Sequence, residues 1–538
     1  MDRTADFLHQ LRSISISDTD PFNDDGLGYK TQLNDSLPVS RLPPEILEHV
    51  FLLHAECDHP HFILTFDIDG KKVYPAGIDL AWLKATHVCR RWRQIALGYT
   101  ELWRHVDSAL GPHWVREMIS RAKATPLCLT ADLHSRNAFM GDVISSNLHN
   151  TQMLSLVCDP ISNGTRRVAS SLFKKPAPLL ESLVFMSHLY SWDGAVTIFH
   201  GGAPRLRHLT VRQCGVFPWN SPVLRQLVTL EIHELIHPDY MDVLVALEEM
   251  KAVEVLVLRS GAATFPPWIA LPQRAGGPIT LPSLVQLTLA GVITYIAWIL
   301  THTRLAKTTK LSITCFASES TRTDFQSVLP VLAETGCNLA YPRVVYGSVF
   351  ETPWDRLFFV RAWSSASHPE QPTDKPGTAE SDFHLAFNWA RGSGPHDHLG
   401  LLAAAHQVLS HDGLVDLQVG VHSALWTPQV WLDVFGACLE RVRGVRVNSI
   451  AAPSFVEALA LDTSRGGVVA PRLASLGIKV RFDQTLRRGA ELHARLLRTL
   501  RRRKARGAVL GRLALFECLL AETQLDELRE LVPSIDSW

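Results

Sequence analysis

The feature that most constrains this chain is a short unit, Pro-x-Leu-x-x-Leu-x-apolar, that returns with identical internal spacing. It reads Pro178-Leu180-Leu183-Phe185, Pro204-Leu206-Leu209-Val211, Pro282-Leu284-Leu287-Leu289 and Pro471-Leu473-Leu476-Ile478. Looser forms without the proline are Leu227-Leu230-Ile232, Val253-Leu256-Leu258, Leu414-Leu417-Val419, Val442-Val445-Val447 and Leu510-Leu513-Leu515. In each, the last two apolar residues are two apart and point to one side of a short strand. The first reaches the same side from the preceding turn. One such strand cannot bury its apolar face alone, so the copies must stack on a shared core.

The central apolar positions are 21 to 37 residues apart. Leucine-rich repeats have a period of about 20 to 29 residues, so the array is irregular and runs long towards its end. Helix-like stretches such as Tyr240–Met250 and Phe325–Ala333 lie between copies. The register is lost around residues 338–390, although Phe383-Leu385-Phe387 still alternates like a strand. The tract 364–381 is rich in Ser, Pro, Thr and charge and reads as a loop insertion. The expected fold class is therefore α/β, with strands and helices in alternation.

At 538 residues the chain is too long for one compact core. Lys+Arg and Asp+Glu both number 53, so net charge gives no argument for nucleic acid or an anionic membrane as partner. Crossing a bilayer takes about 18 to 20 apolar residues; the most apolar run, Gly291–Leu300, is far shorter. Met1–Asp20 has no apolar segment of the secretory kind. The nine cysteines include no C-x-x-C pair and are odd in number. Reduced thiols in a cytoplasmic or nuclear protein are the expectation.

The N-terminal part differs in texture. Residues 1–40 are polar and read as a disordered leader. Arg41-Leu42-Pro43-Pro44-Glu45 then opens a helix, because proline is tolerated in a first turn whose N–H would be unpaired anyway. Ile46, Leu47, Val50 and Phe51 follow at helical spacing. Residues 54–79 read as an insertion, with Phe62–Phe66 and Val73-Tyr74 flanking the turn signal Asp69-Gly70. The helical pattern resumes at Leu80, Trp82 and Leu83. It runs through Val88, Cys89, Trp92 and Ile95 to Leu102 and Trp103. A further amphipathic helix is expected at Pro112–Ala122.

Leu42-Pro43-Pro44-Glu45-Ile46-Leu47, then Val88-Cys89-Arg90-Arg91-Trp92-Arg93, then Leu102-Trp103 resemble the F-box. The downstream array resembles the degenerate leucine-rich repeats of the F-box families expanded in fungi. The resemblance implies a small helical F-box over residues 41–107, followed over residues 108–538 by an irregular leucine-rich-repeat-like α/β solenoid. It implies a non-catalytic substrate receptor of a ubiquitin ligase, whose F-box binds a Skp adaptor and through it a cullin. The array would then capture a protein substrate. By motif match, Leu42, Pro43, Ile46, Leu47, Val50, Phe51, Val88, Cys89, Trp92 and Trp103 would form the module's core and adaptor face. The departure is the insertion, which would impair binding if it folded across that face. The alternative is a repeat scaffold that recruits no ligase.

The residues themselves agree with an interface. A helical unit this small cannot bury Leu42, Val50, Phe51, Trp92 and Trp103 completely, and partly exposed aromatic anchors are what interfaces use. The competing reading packs them against the repeat array as ordinary core.

Other chemistry is thinner. His54, Cys57, Asp58, His59 and His61 are dense in potential zinc donors, but no second ligand pair follows at standard spacing. An exposed polar loop accounts for them, and neither a metal nor a cofactor is expected. His396-Asp397-His398 is weaker still. No nucleophile elbow, phosphate-binding loop or dinucleotide fingerprint occurs. The basic run Arg495, Arg498, Arg501, Arg502, Arg503, Lys504 and Arg506 reads as the solvated face of a helix with Leu492, Leu496, Leu497 and Leu500 beneath.

In a leucine-rich-repeat-like array, the strand residues between the inward positions face the open surface. Here these include His208, Thr210, Arg212, Thr229, Glu231, His233, Gln286, Thr288, Arg446, Asn448 and Lys479, which are the candidate substrate-binding residues.

Overall fold

The computed structural model describes residues 32–537 apart from 35, 59, 67–72, 134–138, 159–162, 191–196, 215–216, 236–239, 261–275, 307, 318–324, 335–340, 350–354, 364–380, 391–397, 410–412, 422–424, 449–450, 464–465, 480–485 and 517–519. Residues 1–31 of the expected leader, the Asp69-Gly70 turn and nearly all of the 364–381 tract lie outside the described residues. The chain divides into two compact units, Met1–Leu156 and Val157–Trp538.

The first unit begins with a 3-10 turn, Pro38–Arg41, and helix α1, Pro44–Cys57. Pro43 and Pro44 set where α1 starts: Pro44 occupies the first turn, and the Pro43 carbonyl accepts from the amides of Ile46 and Leu47. Residues 54–57, expected in the insertion, are instead the last turn of α1. Ala55 continues the buried row of Leu47 and Phe51, four residues per step. The insertion proper is an antiparallel pair, β1 His61–Phe66 and β2 Val73–Asp79, with a register shift between Ile63 and Leu64. Then come a 3-10 stretch Ala81–His87, helix α2 Arg90–Gly98 and a 3-10 turn Thr100–Trp103.

The unit continues with β3 His105–Asp107, α3 Gly111–Ala122, β4 Leu127–Leu133 and α4 Phe139–Asn147. The division between the units falls within β5, Thr151–Cys158. β3 and β4 pair in parallel.

In the second unit, α5 Asn163–Leu172 precedes β6 Ser182–Tyr190, β7 His208–Cys214 and β8 Thr229–Leu235. Next are α6 Tyr240–Glu249, β9 Val255–Ser260, β10 Ile279–Thr280, β11 Gln286–Val292, α7 Ile293–His302, β12 Thr303–Arg304, β13 Lys310–Ala317 and α8 Phe325–Glu334. Three long strands follow, β14 Arg343–Val349, β15 Asp355–Trp363 and β16 Phe383–Ala390. The chain then alternates α9 Leu399–Val408, β17 Asp416–Gly420, α10 Pro428–Leu439, β18 Gly444–Asn448, α11 Ala452–Ala458 and β19 Ser475–Lys479. It ends with α12 Leu486–Ala505, β20 Arg512–Phe516, α13 Glu522–Arg529 and β21 Ser534–Ser537.

The pairings give one sheet in the order β6-β7-β8-β9-β11-β13-β16-β15-β14-β17-β18-β19-β20-β21. It is parallel except where β15 runs antiparallel between β14 and β16. Among the described residues no pairing joins β6 to β21, so the sheet stays open.

The repeat unit sets the register. Leu183, Leu209, Leu230, Leu256 and Leu287 are mutual partners along β6–β11, as are Leu417, Val445, Leu476 and Leu513 along β17–β20. The leading residues Leu180, Leu206, Leu227, Leu284, Leu414, Leu473 and Leu510 are all buried. Each such side chain contributes about 1.5–3 kcal/mol by leaving water. Tyr346 on β14 identifies the face that the helices cover. It packs 5.8 Å from Phe435 of α10, and its hydroxyl lies 2.8 Å from Nδ1 of His406 in α9. The stretch that loses the repeat pattern is where β14, β15 and β16 enter out of sequence order.

The basic run lies on α12, with Leu492, Leu496, Leu497 and Leu500 buried beneath. Arg498 and Arg501 are exposed, while others of the run are paired or buried. Arg495 pairs with Glu457, Arg502 and Arg506 pair with Asp462, and Arg503 is buried. Among the described residues no helix is long and apolar enough to cross a membrane.

Candidate functional site

Helix α1 is apolar on two opposite sides. Leu47, Phe51 and Ala55 are buried, while Leu42, Ile46, Val50 and Leu53 form a second row that points outward. Ile46 is 49% exposed, Val50 47% and Leu53 51%; Val88, before α2, is 57% exposed. Leu37 and Val39, just ahead of α1, are exposed too. An apolar row continuous over three helical turns is more than the scattered surface leucines every protein carries.

The buried side explains how this row is held. Phe51 packs on Trp92 of α2 with ring centroids 5.1 Å apart. Trp82 and Trp103 meet edge to face at 5.2 Å, and the Trp103 indole N–H donates to the Ala96 carbonyl at 2.9 Å. The Arg121 guanidinium lies 4.7 Å above the Trp103 ring. At the start of α2, the Cys89 sulfur accepts from the Trp92 amide. Arg91 donates to the backbone carbonyls of Ser40 and Leu42, tying α2 to the segment that leads into α1. Arg93 donates to the Thr86 carbonyl at 2.9 Å.

The motif residues thus sort by position. Leu47, Phe51 and Trp103 lie in the core, and Cys89 and Trp92 lie between core and surface. Leu42, Pro43, Ile46, Val50 and Val88 face outward. Leu53 belongs to the outward row as well; it sits three residues after Val50, and that spacing was its signal in the sequence. The β1–β2 pair is present while this row stays exposed, so the insertion does not bury it.

The F-box-like family model matches residues 39–109. This segment is an F-box-like domain. It contains the outward row, the aromatic core beneath it and the β1–β2 insertion. Domains of this kind are protein-interaction modules that work without catalysing a reaction, and in general they bind a Skp-like adaptor. No curated protein matches the chain.

Beside the F-box-like domain, the histidine cluster is sparse. His54 approaches Asp58 at 3.7 Å, and His59 lies outside the described residues. Among the described residues no three His, Cys, Asp or Glu side chains are grouped to hold a metal.

The candidate substrate-binding residues of the second unit occupy strand positions that alternate with the buried leucines. His208 pairs in register with Thr229, Thr210 with Glu231, and Arg212 with His233. Across the strands His208 Nδ1 lies 3.1 Å from the Thr229 hydroxyl, and within β8 His233 Nε2 lies 3.3 Å from a Glu231 carboxylate oxygen. Gln286 and Thr288 lie on β11, and Thr288 is buried. Asn448 pairs with Lys479, and Arg446 with Gly477. The candidates from sequence left out the middle of this face, where β14 and β15 place Arg343, Val345, Phe359, Arg361 and Trp363. The continuous apolar run Leu357–Val360 was the available signal, since a strand buried on both faces does not alternate.

Proposed function

We propose that this chain is the substrate receptor of a Skp–cullin–F-box ubiquitin ligase. The outward row Leu42, Ile46, Val50 and Leu53, with Val88, docks the Skp adaptor, and the open sheet face of the second unit captures a protein substrate. The observation that carries this reading is the exposed apolar row on α1 within a matched F-box-like domain. Burying it against a partner removes apolar surface from water, worth about 25 cal/mol per Å² before the costs of association.

The chain itself catalyses nothing in this reading. It raises the local concentration of a substrate lysine near the conjugating enzyme that the cullin recruits. Such a receptor works in the cytoplasm or nucleus. Co-purification tests it: tagged wild-type chain should bring down a Skp adaptor and a cullin, and an Ile46→Asp, Val50→Asp double variant should bring down neither. An intact double variant that still captured both would overturn the reading.

A further inference from the structure

The open face of the sheet changes character at β16, β15 and β14. Elsewhere along this face its strands carry hydroxyls and mixed charges; here Val345, Phe359, Trp363 and Ala386 form a second apolar cluster with Leu357 against it. Arginines lie over its aromatic rings. The Arg361 guanidinium is 4.9 Å from the Phe359 ring centre, and the Arg343 guanidinium is 5.5 Å from that of Trp363. Arg446 on β18 lies 5.8 Å from the ring of Phe516.

Two glycines make this layout possible. Phe359 lies directly over Gly347, and a Cβ on Gly477 would stand 2.7 Å from Cγ of Arg446. Any larger residue at either position would push these side chains off the sheet.

The patch is under electrostatic tension. Burial disfavours the charged form of Arg343, Arg446 repels it, and Asp416 only partly compensates. Burial has the same effect on Arg361. His384, opposite Arg361, is held neutral by burial and by that guanidinium. Among the described residues, neither Arg343 nor Arg361 has a carboxylate within ion-pair distance. Gln418, between Val345 and Arg446 in register, has a buried side-chain oxygen with no hydrogen-bond partner. Partly buried guanidinium groups and an unused acceptor are the complement of a ligand that brings oxyanions and N–H donors.

We propose that this face binds an acidic segment of a protein, with Arg343 and Arg361 each taking a carboxylate and Gln418 accepting from the segment's backbone. Spacing favours two carboxylates over one compact dianion. Arg361 and Arg343 sit on the neighbouring strands β15 and β14. In an extended peptide every second side chain points the same way, about 7 Å apart. That is also the diagonal distance between positions 343 and 361 on neighbouring antiparallel strands. Calling this segment the substrate's rests on the receptor reading; the binding itself does not.

The test uses the full chain without adaptor, so its outcome is separate from the adaptor experiment. A fluorescein-labelled peptide of alternating Glu and Gly is titrated by fluorescence anisotropy. Two further peptides accompany it, one with Gln in place of Glu and one neutral peptide carrying a single phosphoserine. The Glu peptide should bind, the Gln peptide should not, and the phosphoserine peptide should bind more weakly than the Glu peptide. Arg343→Gln and Arg361→Gln should each weaken the Glu peptide about tenfold or more. Preference for the phosphoserine peptide, equal binding of the Gln peptide, or undiminished binding by folded variants would overturn the proposal.

Discussion

Arg91 and Leu42 are 49 residues apart, yet the Arg91 guanidinium donates to the Leu42 carbonyl at 2.5 Å. The same side chain also holds the Ser40 carbonyl. Leu42 begins the outward row of α1, so a residue of α2 fixes where that row starts. Arg91→Ala should leave α1 and α2 helical but lower adaptor affinity about tenfold, as calorimetric titration with a purified Skp adaptor would show. Arg91→Lys should not restore it, because one ammonium cannot reproduce the fork that spans two carbonyls.

The two sides of α1 should respond oppositely to mutation. Ile46→Asp changes a half-exposed side chain and should alter stability by less than about 0.5 kcal/mol while abolishing adaptor capture. Phe51→Ala empties space against Trp92 and should cost about 3–5 kcal/mol. Circular dichroism melts beside pull-downs would separate the two effects. Equal destabilisation by both would contradict the assignment of faces.

Arg503 holds the turn before β19. It is buried and donates to the carbonyls of Val469 at 2.5 Å and Ala470 at 2.8 Å. Arg503→Met would leave both carbonyls without this donor, at roughly 1–3 kcal/mol each. Hydrogen exchange of the β19 amides should speed up accordingly, and Arg503→Lys should protect them only partly.

His384 should make stability depend on pH. Its pKa lies at about 4 in the folded chain against an ordinary 6.5, from burial first and the Arg361 charge second. Below pH 6.5 the unfolded chain takes up a proton that the folded chain refuses until about pH 4. Stability from this group is therefore complete above pH 6.5 and declines as pH falls through that window. His384→Asn should flatten the slope of melting temperature between pH 4 and pH 6.5; an unchanged slope would show that His384 does not carry it.

Much of this was legible in the chain. The spacing of Leu183, Leu209, Leu230, Leu256 and Leu287 announced stacked strands, and these residues are register partners in the sheet. Pro43-Pro44 marked where α1 begins, and Tyr240–Met250 and Phe325–Ala333 anticipated α6 and α8. Such features are local, since a strand's period, a proline's fixed φ and a helix's apolar row are properties of a few neighbouring residues.

What the sequence by itself determined, then, is the repeating strand unit, the helical F-box motif and the apolar residues that must be covered. Only the tertiary structure decided which side of α1 is left open, because Leu47 and Ile46 are equally apolar and burial depends on where Trp92 comes to rest. It also decided the strand order β13-β16-β15-β14-β17, which brings Arg343, Arg361 and Arg446 onto one face. Charges that far apart in the chain carry no local signal. Their proximity comes from non-local hydrogen-bonded pairing, and no window of sequence contains it.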